Sequence, residues 1–237
     1  MTSSANVSAR SRLRLDPAEL IVVAFNVLYL AVALVASLRR GNTEFLLYFA
    51  VLCGLLVVVA AIHLKIRFPV ALLWGLSVWG LAHMAGGLVA IPESWPSGGE
   101  GNVLYNLWLV PNRLKFDQLV HAYGFGLVTL ACWQGLQHAF AQRGVRVKPT
   151  LGLLTLCVAG GMGFGAANEV VEFIATQVLP ETNVGGYENT GWDLVANFVG
   201  SAMAAIGLYC WHRQQVDSVP SRTSDFLVPP SESHSVK

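Results

Sequence analysis

Charged residues are scarce in this chain of 237 residues. Lys, Arg, Asp and Glu together make up 12% of it, against roughly 25% in typical soluble domains. Apolar residues account for 54%, and the mean hydropathy is +0.54. This composition argues against a soluble domain and predicts an integral membrane protein surrounded by lipids. A net charge of +1 provides no strongly basic surface, so no nucleic-acid partner is expected.

Cysteine is also sparse, and its placement excludes two common uses. The chain has no CxxC pair, and its four cysteines all lie in apolar segments: Cys53, Cys132, Cys157 and Cys210. They are therefore interpreted as small buried hydrophobic residues, not as a disulfide framework or a metal site. A GxSxG motif is absent too, so the sequence gives little support to a thiol or serine nucleophile.

Long apolar segments, by contrast, recur six times. Each is about as long as the roughly 20 residues that cross 30 Å of hydrocarbon. They cover residues 20–38, 44–62, 69–91, 115–139, 150–178 and 191–211. The expected fold class is all-α, a polytopic bundle of six transmembrane helices. The first segment also resembles a signal peptide, but its length and the Arg39-Arg40 pair that follows favour an uncleaved helix.

The polar ends of the chain frame this membrane domain. Residues 1–18 are predicted to form a cytoplasmic N-terminal segment, residues 19–212 the membrane domain, and residues 213–237 a disordered cytoplasmic tail. With both termini in the cytoplasm, eleven Lys and Arg residues lie inside and four outside. The positive-inside rule therefore predicts this orientation in the inner (cytoplasmic) membrane, although Arg39 and Arg40 lie on the unfavoured side.

Two further segments have alternative interpretations. Residues 92–113 are rich in aromatic side chains that suit the headgroup layer, which predicts a short interfacial or re-entrant segment, or simply a loop in the aromatic belt. The glycines at 160, 161, 163 and 165 superficially resemble a dinucleotide-binding motif. They follow no strand and lie within a membrane segment, so close helix packing is the better interpretation.

Two carboxylates occupy the second half of the fifth apolar segment. Glu169 and Glu172 follow Asn168 and are the only charges between residues 150 and 179. Even lenient insertion scales assign an acidic residue at a helix centre about 2.5–3.5 kcal/mol. Their i,i+3 spacing places both on one side of a helix, so partners must be available on that side. They lie near the end of the helix, where the dipole disfavours anions and where capping cannot explain them.

Polar residues on neighbouring segments are predicted to lie at the same depth, in the outer layer of the membrane. Asp117 and His121 are four positions apart, or about 6 Å of helix rise, and Asp193 and Asn197 repeat that spacing. His83 comes about two turns before the end of the third segment. Each residue also has a simpler explanation. The aspartates could cap helices, the histidines could pack between helices, and Asn197 could bond across an interface.

Taken together, the constellation favours a shared site. Carboxylates and imidazoles ligate zinc, manganese and similar divalent metal ions, and helical spacings of three and four suit such sites. Without metal, at least one of several close carboxylates would be protonated, giving an acid/base pair or a proton relay. The candidate catalytic or metal-ligating residues are Asp117, His121, Glu169, Glu172 and Asp193. The candidate supporting or substrate-binding residues are His83, Asn168, Tyr187 and Asn197.

The order of these motifs resembles a known group of membrane proteins. Asp117-x-x-x-His121, Glu169-x-x-Glu172 and Asp193-x-x-x-Asn197 followed by Gly200 are similar to the three motifs of VanZ-like proteins. His83-x-x-Gly86-Gly87 and the approach from Tyr187 to Asp193 resemble the related YjdF-type (DUF2238) inner-membrane family. The resemblance covers about residues 80–205. It implies a small polytopic bacterial membrane protein, with cell-envelope metabolism as a functional hint.

This chain departs from the VanZ-like pattern at two places. Glu172 stands where those proteins often have Gln, and the Arg that commonly precedes the last Asp is missing. Three hypotheses follow. The first is an enzyme that acts at the outer face on a lipid-linked or amphiphilic envelope substrate, with a divalent metal ion as the candidate cofactor. The second is a proton- or cation-coupled transporter, and the third is a non-catalytic membrane protein with a structural polar network.

Overall fold

Six long helices dominate the computed structural model, which describes residues 15–41, 43–99, 101–180 and 182–217. Each is long and apolar enough to cross a membrane. They are α1 (Pro17–Arg40), α2 (Thr43–Ile66), α3 (Val70–Leu88), α4 (Phe116–Ala141), α5 (Leu151–Val178) and α6 (Tyr187–Asp217). The prediction of an all-α polytopic membrane bundle is confirmed. Residues 1–14 and 218–237, which include most of both predicted terminal segments, lie outside the described residues.

The first helix has well-defined ends. Oδ1 of Asp16 accepts a hydrogen bond from the Glu19 amide at 2.9 Å, and Oε2 of Glu19 accepts one from the Asp16 amide at 3.0 Å. This capping box satisfies amide groups that the first helical turn leaves without partners, and Pro17 suits the first helical position. Gly41 ends the helix at φ 63°, a left-handed conformation that glycine adopts without strain.

The last helix is longer than its apolar segment. It begins at Tyr187 instead of residue 191 and continues to Asp217, six residues beyond the predicted end. The helix therefore includes the start of the predicted disordered tail. Hydropathy detects only the part of a helix that crosses hydrocarbon, whereas backbone hydrogen bonds extend the helix through polar residues at both ends.

The connection between α3 and α4 has a folded structure of its own. The third helix ends at Leu88, three residues before the predicted end, and the chain continues in extended conformation. A 3₁₀ turn at Leu104–Asn106 precedes two short antiparallel strands, β1 (Trp108–Val110) and β2 (Leu114–Lys115). The predicted interfacial or re-entrant segment is thus a turn and a small hairpin. These are the two named strands of the described residues.

Small residues let α6 approach α4 and α5 closely. A Cβ atom added to Gly200 of α6 would lie 1.8 Å from the carbonyl oxygen of Ala122 in α4. One added to Gly165 of α5 would lie 2.6 Å from Nδ2 of Asn197. Any larger side chain at either position would force the helices apart. This geometry supports the predicted packing role of Gly165, while Gly163 has open space around it.

Orientation remains a prediction from the charges, although the structure explains the local exception. An even number of crossings places the described ends of α1 and α6 on the same side of the membrane. Arg40, on the side with fewer positive charges, donates a hydrogen bond to the carbonyl oxygen of Leu88 at the end of α3. A cation at a helix C-terminus is stabilised by the helix dipole, so this arginine has a structural role there.

Candidate functional site

A cavity of about 990 Å³ opens at the end of the bundle where α2, α4 and α6 begin. The 3₁₀ turn, the hairpin and the α5–α6 connection contribute to its walls. Its lining combines acidic, basic and aromatic side chains, among them Glu44, His83, Tyr105, Arg113, Lys115, Asp117, Glu172 and Trp192. A cavity of this size is within the range of small-molecule sites.

His121 lies at the centre of the polar residues behind this cavity. Its side chain is 3% exposed, and its two ring nitrogens face different partners. Nε2 lies 3.7 Å from Oδ1 of Asp117, one helical turn earlier. Nδ1 lies 3.1 Å from Oδ1 of Asn197 in α6 and 3.6 Å from Oε1 of Glu169 in α5. The imidazole therefore connects three helices, which the close packing at Gly165 and Gly200 makes possible.

The two glutamates of α5 occupy different depths. Glu172 lines the cavity, and its Oε1 accepts a hydrogen bond from Nδ2 of Asn168 at 2.9 Å. Glu169 lies behind it with 8% exposure, and neither of its carboxylate oxygens has a hydrogen-bond partner. Burying an anion without hydrogen bonds is costly, so Glu169 is the least compensated group of the cluster.

A stripe of polar residues on α6 forms the opposite side. Asn189, Asp193 and Asn197 are spaced four apart and share one helix face. Nδ2 of Asn189 donates to Oδ2 of Asp193 at 2.6 Å and to Oδ2 of Asp117 at 3.4 Å. Its Oδ1 accepts a hydrogen bond from Nζ of Lys115 at 3.1 Å. Asp193 is fully buried, and its Oδ1 has no hydrogen-bond partner.

The alternative explanation of Asp193 as a helix cap is wrong. It is the seventh residue of α6, in the second turn, and its side chain contacts Asn189 instead of a free backbone amide. Asp117 does lie in the first turn of α4, but its side chain contacts His121 and Asn189. Both aspartates thus face the cluster around His121.

His83 belongs to the cavity wall. Its ring meets the ring of Tyr105 edge-on at 5.6 Å and that of Tyr48 at 6.4 Å. The Tyr105 hydroxyl donates to the His83 carbonyl oxygen at 2.7 Å. Desolvation raises the pKa of Tyr105 well above its usual range, so this hydroxyl remains a neutral donor. The 3₁₀ turn is thereby attached to the end of α3.

Tyr187 is the one predicted supporting residue that lies apart. Its side chain is 95% exposed and does not line the cavity. Residues two and six positions apart on a helix point in different directions, so Tyr187 cannot share the face of Asn189 and Asp193. Tyr187 therefore makes no contact with the cavity that would support its predicted role.

Several residues of the site were not predicted from the sequence. Asn189 links two carboxylates to Lys115. Its i,i+4 spacing with Asp193 and Asn197 is visible in the sequence, but the predicted sixth helix began at residue 191 and so excluded it. Glu44 accepts hydrogen bonds from the Asn183 amide with both oxygens, at 3.0 and 3.1 Å, and so holds the α5–α6 connection against α2. No local sequence pattern indicates that pairing.

Two groups of side chains in the cluster have donor atoms close enough to hold a metal ion. Asp117, His121 and Asp193 form one group, and His121, Glu169 and Glu172 form the other. In each group the donor atoms lie within 4.8 Å of one another. The donor types, carboxylate oxygen and imidazole nitrogen, suit Mn²⁺, Fe²⁺ or Zn²⁺. We call the five residues of these two groups the cavity cluster.

The fold and this cluster define a class: a polytopic helical membrane protein with buried carboxylates and a histidine beneath a cavity at the end of the bundle. Residues 21–214 match the family of predicted membrane proteins designated DUF2238, and the chain belongs to that family. Neither a curated protein nor a solved structure matches the chain.

Proposed function

We propose that this chain is a divalent-cation-dependent membrane enzyme that acts on the polar head of an amphiphilic substrate. The observation that carries the proposal is Glu169. Its carboxylate is 8% exposed, has no hydrogen-bond partner on either oxygen, and lies 3.6 Å from His121. A divalent cation would supply the missing counter-charge and the missing ligation together.

The cavity supports the substrate part of this proposal. Asp117 and Glu172 of the cavity cluster line its wall, so a bound ion would be accessible to a molecule inside it. The cavity opens at one end of the membrane helices, where lipid headgroups lie. Trp108 and Trp192 also line it, and tryptophan suits the boundary between headgroups and hydrocarbon.

Cationic groups at the same cavity favour a substrate with an acidic head, for instance a phosphate. Arg113 and Lys115 both line it, and Nζ of Lys115 lies 5.4 Å from the centre of the Trp108 ring. These cations come from the hairpin, whereas the VanZ-like pattern has an arginine before the last aspartate. The resemblance to VanZ-like proteins supports an envelope substrate in the cytoplasmic membrane.

In this scheme the cavity cluster would hold the ion, which would supply Lewis-acid polarisation of the reacting oxygen of the head group. Asn168 and Asn189 orient Glu172 and Asp193 through their side-chain amides. Coupled transport has less support, because the hydroxyls below the cluster are already engaged. Thr129 and Ser201 both donate to the Phe125 carbonyl oxygen, so they offer no continuous polar path inward.

The proposal is tested with lipids. Purified protein in detergent would be incubated with a bacterial total lipid extract and Mn²⁺, and the lipids compared by mass spectrometry. We expect a lipid species to be depleted by the wild type and left intact by Glu169→Gln or in the presence of EDTA. Glu93→Gln, an exposed glutamate in the α3–α4 connection, should behave as wild type. An unchanged lipid profile with the wild type would contradict the proposal.

A further inference from the structure

The two groups of potential ligands in the cavity cluster share one residue, His121. They lie towards opposite edges of its ring: Asp117 is near Nε2 and Glu169 is near Nδ1. We infer that the cavity cluster binds two divalent cations, one on each side of the His121 imidazole. This inference rests on the proposed function and specifies its metal centre.

Each side has its own unpartnered buried oxygen. On the first side, formed by α4 and α6, Oδ1 of the fully buried Asp193 has no hydrogen-bond partner. On the second side, formed by α4 and α5, both oxygens of Glu169 lack one. A single ion within one group would satisfy one of these carboxylates and leave the other buried without a partner. Two ions satisfy both.

The charges of the cavity cluster also indicate two metal ions. The cavity cluster contains four carboxylates, and the cation that its hydrogen bonds reach is Lys115, which contacts the Asn189 amide oxygen. Charges in a medium of low dielectric constant interact strongly, so an uncompensated set of four is unstable. Two divalent cations carry four positive charges and balance the four carboxylates; one ion leaves half of the negative charge.

The two sides have a parallel construction. Each combines one carboxylate that lines the cavity with one that lies behind it: Asp117 with Asp193, and Glu172 with Glu169. Both ions would therefore be reached from the same cavity. Pairs of metal ions that share access to one substrate are well suited to displacement at phosphorus, because they stabilise the attacking and the leaving oxygen together.

The two sides should differ in affinity. Nδ1 lies 3.1 Å from Oδ1 of Asn197, a contact in which Nδ1 carries the proton and donates. The lone pair is then on Nε2, the edge facing Asp117. An ion on the first side meets that lone pair directly. An ion using Nδ1 displaces its proton to solvent and leaves an imidazolate, whose additional negative charge is matched by the positive charge of the nearby Lys115. The Asp117–Asp193 side should therefore fill first.

The test is the number of Mn²⁺ ions bound per chain. Protein in detergent would be dialysed against EDTA, titrated with Mn²⁺ by calorimetry, and analysed for metal after removal of unbound ions. We expect two ions per wild-type chain in two phases, and one ion in each of the variants Asp193→Asn and Glu172→Gln. The tighter phase should be the one missing in Asp193→Asn. Glu93→Gln should retain both ions, and melting temperatures would verify that each variant is folded.

The possible outcomes distinguish the proposed metal-dependent function from the inferred pair of ions. One ion per wild-type chain, lost in both variants, would overturn the pair of ions and leave the proposed metal-dependent function standing. No bound Mn²⁺, and none of Zn²⁺ or Fe²⁺ in parallel titrations, would overturn both. Retention of two ions in Asp193→Asn or Glu172→Gln would also overturn the assignment of ligands.

Discussion

Two buried polar clusters occupy opposite ends of this bundle, and they are built on different principles. At the end away from the cavity, Glu19 of α1 lies with His63 of α2 and Arg67 in the α2–α3 connection; we call these three residues the Glu19 cluster. One of its carboxylate oxygens is 3.0 Å from Nε2 of His63. The other accepts from the Asp16 amide at 3.0 Å and lies 3.7 Å from Nη1 of Arg67.

The Glu19 cluster is thus compensated by the protein itself. It has one carboxylate, and both oxygens of that carboxylate have partners. Nδ1 of His63 is buried without a hydrogen bond, whereas neither carboxylate oxygen of Glu19 is left without a partner. The cavity cluster has four carboxylates and leaves three carboxylate oxygens without hydrogen-bond partners. The first cluster therefore joins helices through its own contacts, whereas the second has the unpartnered carboxylate oxygens that the proposed metal ions would engage.

The largest effect is expected at His121, because both ligand groups use it. Loss of a residue that hydrogen-bonds to a metal ligand typically weakens metal binding about 10–100-fold. His121→Asn removes a ligand itself, so it should weaken Mn²⁺ binding by more than that. His138→Asn, near the end of the same helix and outside the cavity cluster, should leave binding unchanged. Calorimetry measures both. Wild-type affinity in His121→Asn would remove the cavity cluster from metal binding.

A smaller effect is expected from the residue that orients this histidine. Asn197→Ala removes the contact to Nδ1 of His121 and should weaken Mn²⁺ binding about 10–100-fold. Ser201→Ala is a matched control one turn later, since Ser201 is also buried but donates to the Phe125 carbonyl. Equal affinities in the two variants would show that His121 needs no support from α6.

The Glu19 cluster should respond in stability alone. Glu19→Gln loses charged hydrogen bonds to the Asp16 amide and His63, which should lower the free energy of unfolding by about 1.5–3 kcal/mol. The decrease should be the same with and without chelator, and metal content should not change. Loss of metal in this variant would mean that the two clusters are coupled, and the contrast between them would fail.

The smallest effect is expected at Tyr187. With its side chain 95% exposed, Tyr187→Ala should change stability by no more than about 0.5 kcal/mol and leave Mn²⁺ binding intact. Thermal melting and calorimetry are again the measurements. A weakening of Mn²⁺ binding comparable to that expected for Asn197→Ala would restore the sequence-based assignment of this residue to the site.

Much of the fold was accessible from the sequence because crossing hydrocarbon imposes length and hydropathy on each helix. The cluster was accessible for a related reason: Asp117 with His121, and Asp193 with Asn197, show the i,i+4 spacing of one helix face. An acidic residue inside an apolar segment then requires a partner at the same depth. These signals are local and periodic, so one sequence suffices to detect them.

The unpredicted parts depend on contacts between distant residues. Asn183 and Glu44 are 139 positions apart, and His63 and Glu19 are 44 apart. All four residues lie near helix ends or in a connection, where polar residues are usually solvated. Their sequence positions therefore do not indicate that they pair with one another. Tyr105 reaches the cavity only because the α3–α4 connection folds back on α3, a turn that hydropathy does not encode.

The central claim, that the buried carboxylates await divalent cations, is tested most directly by thermal melting with and without metal. The proteins would be the wild type, Glu169→Gln and Glu172→Gln, each with Mn²⁺ or with EDTA. A ligand at 100 times its dissociation constant stabilises the folded state by about 2.7 kcal/mol. We expect Mn²⁺ to raise the melting temperature of the wild type most, and to raise those of the variants less because each keeps only the ion on the Asp117–Asp193 side. In EDTA the variants should melt at or above the wild type, because removing one carboxylate relieves repulsion. Equal melting temperatures in all six samples would contradict the account and leave a site balanced by protons.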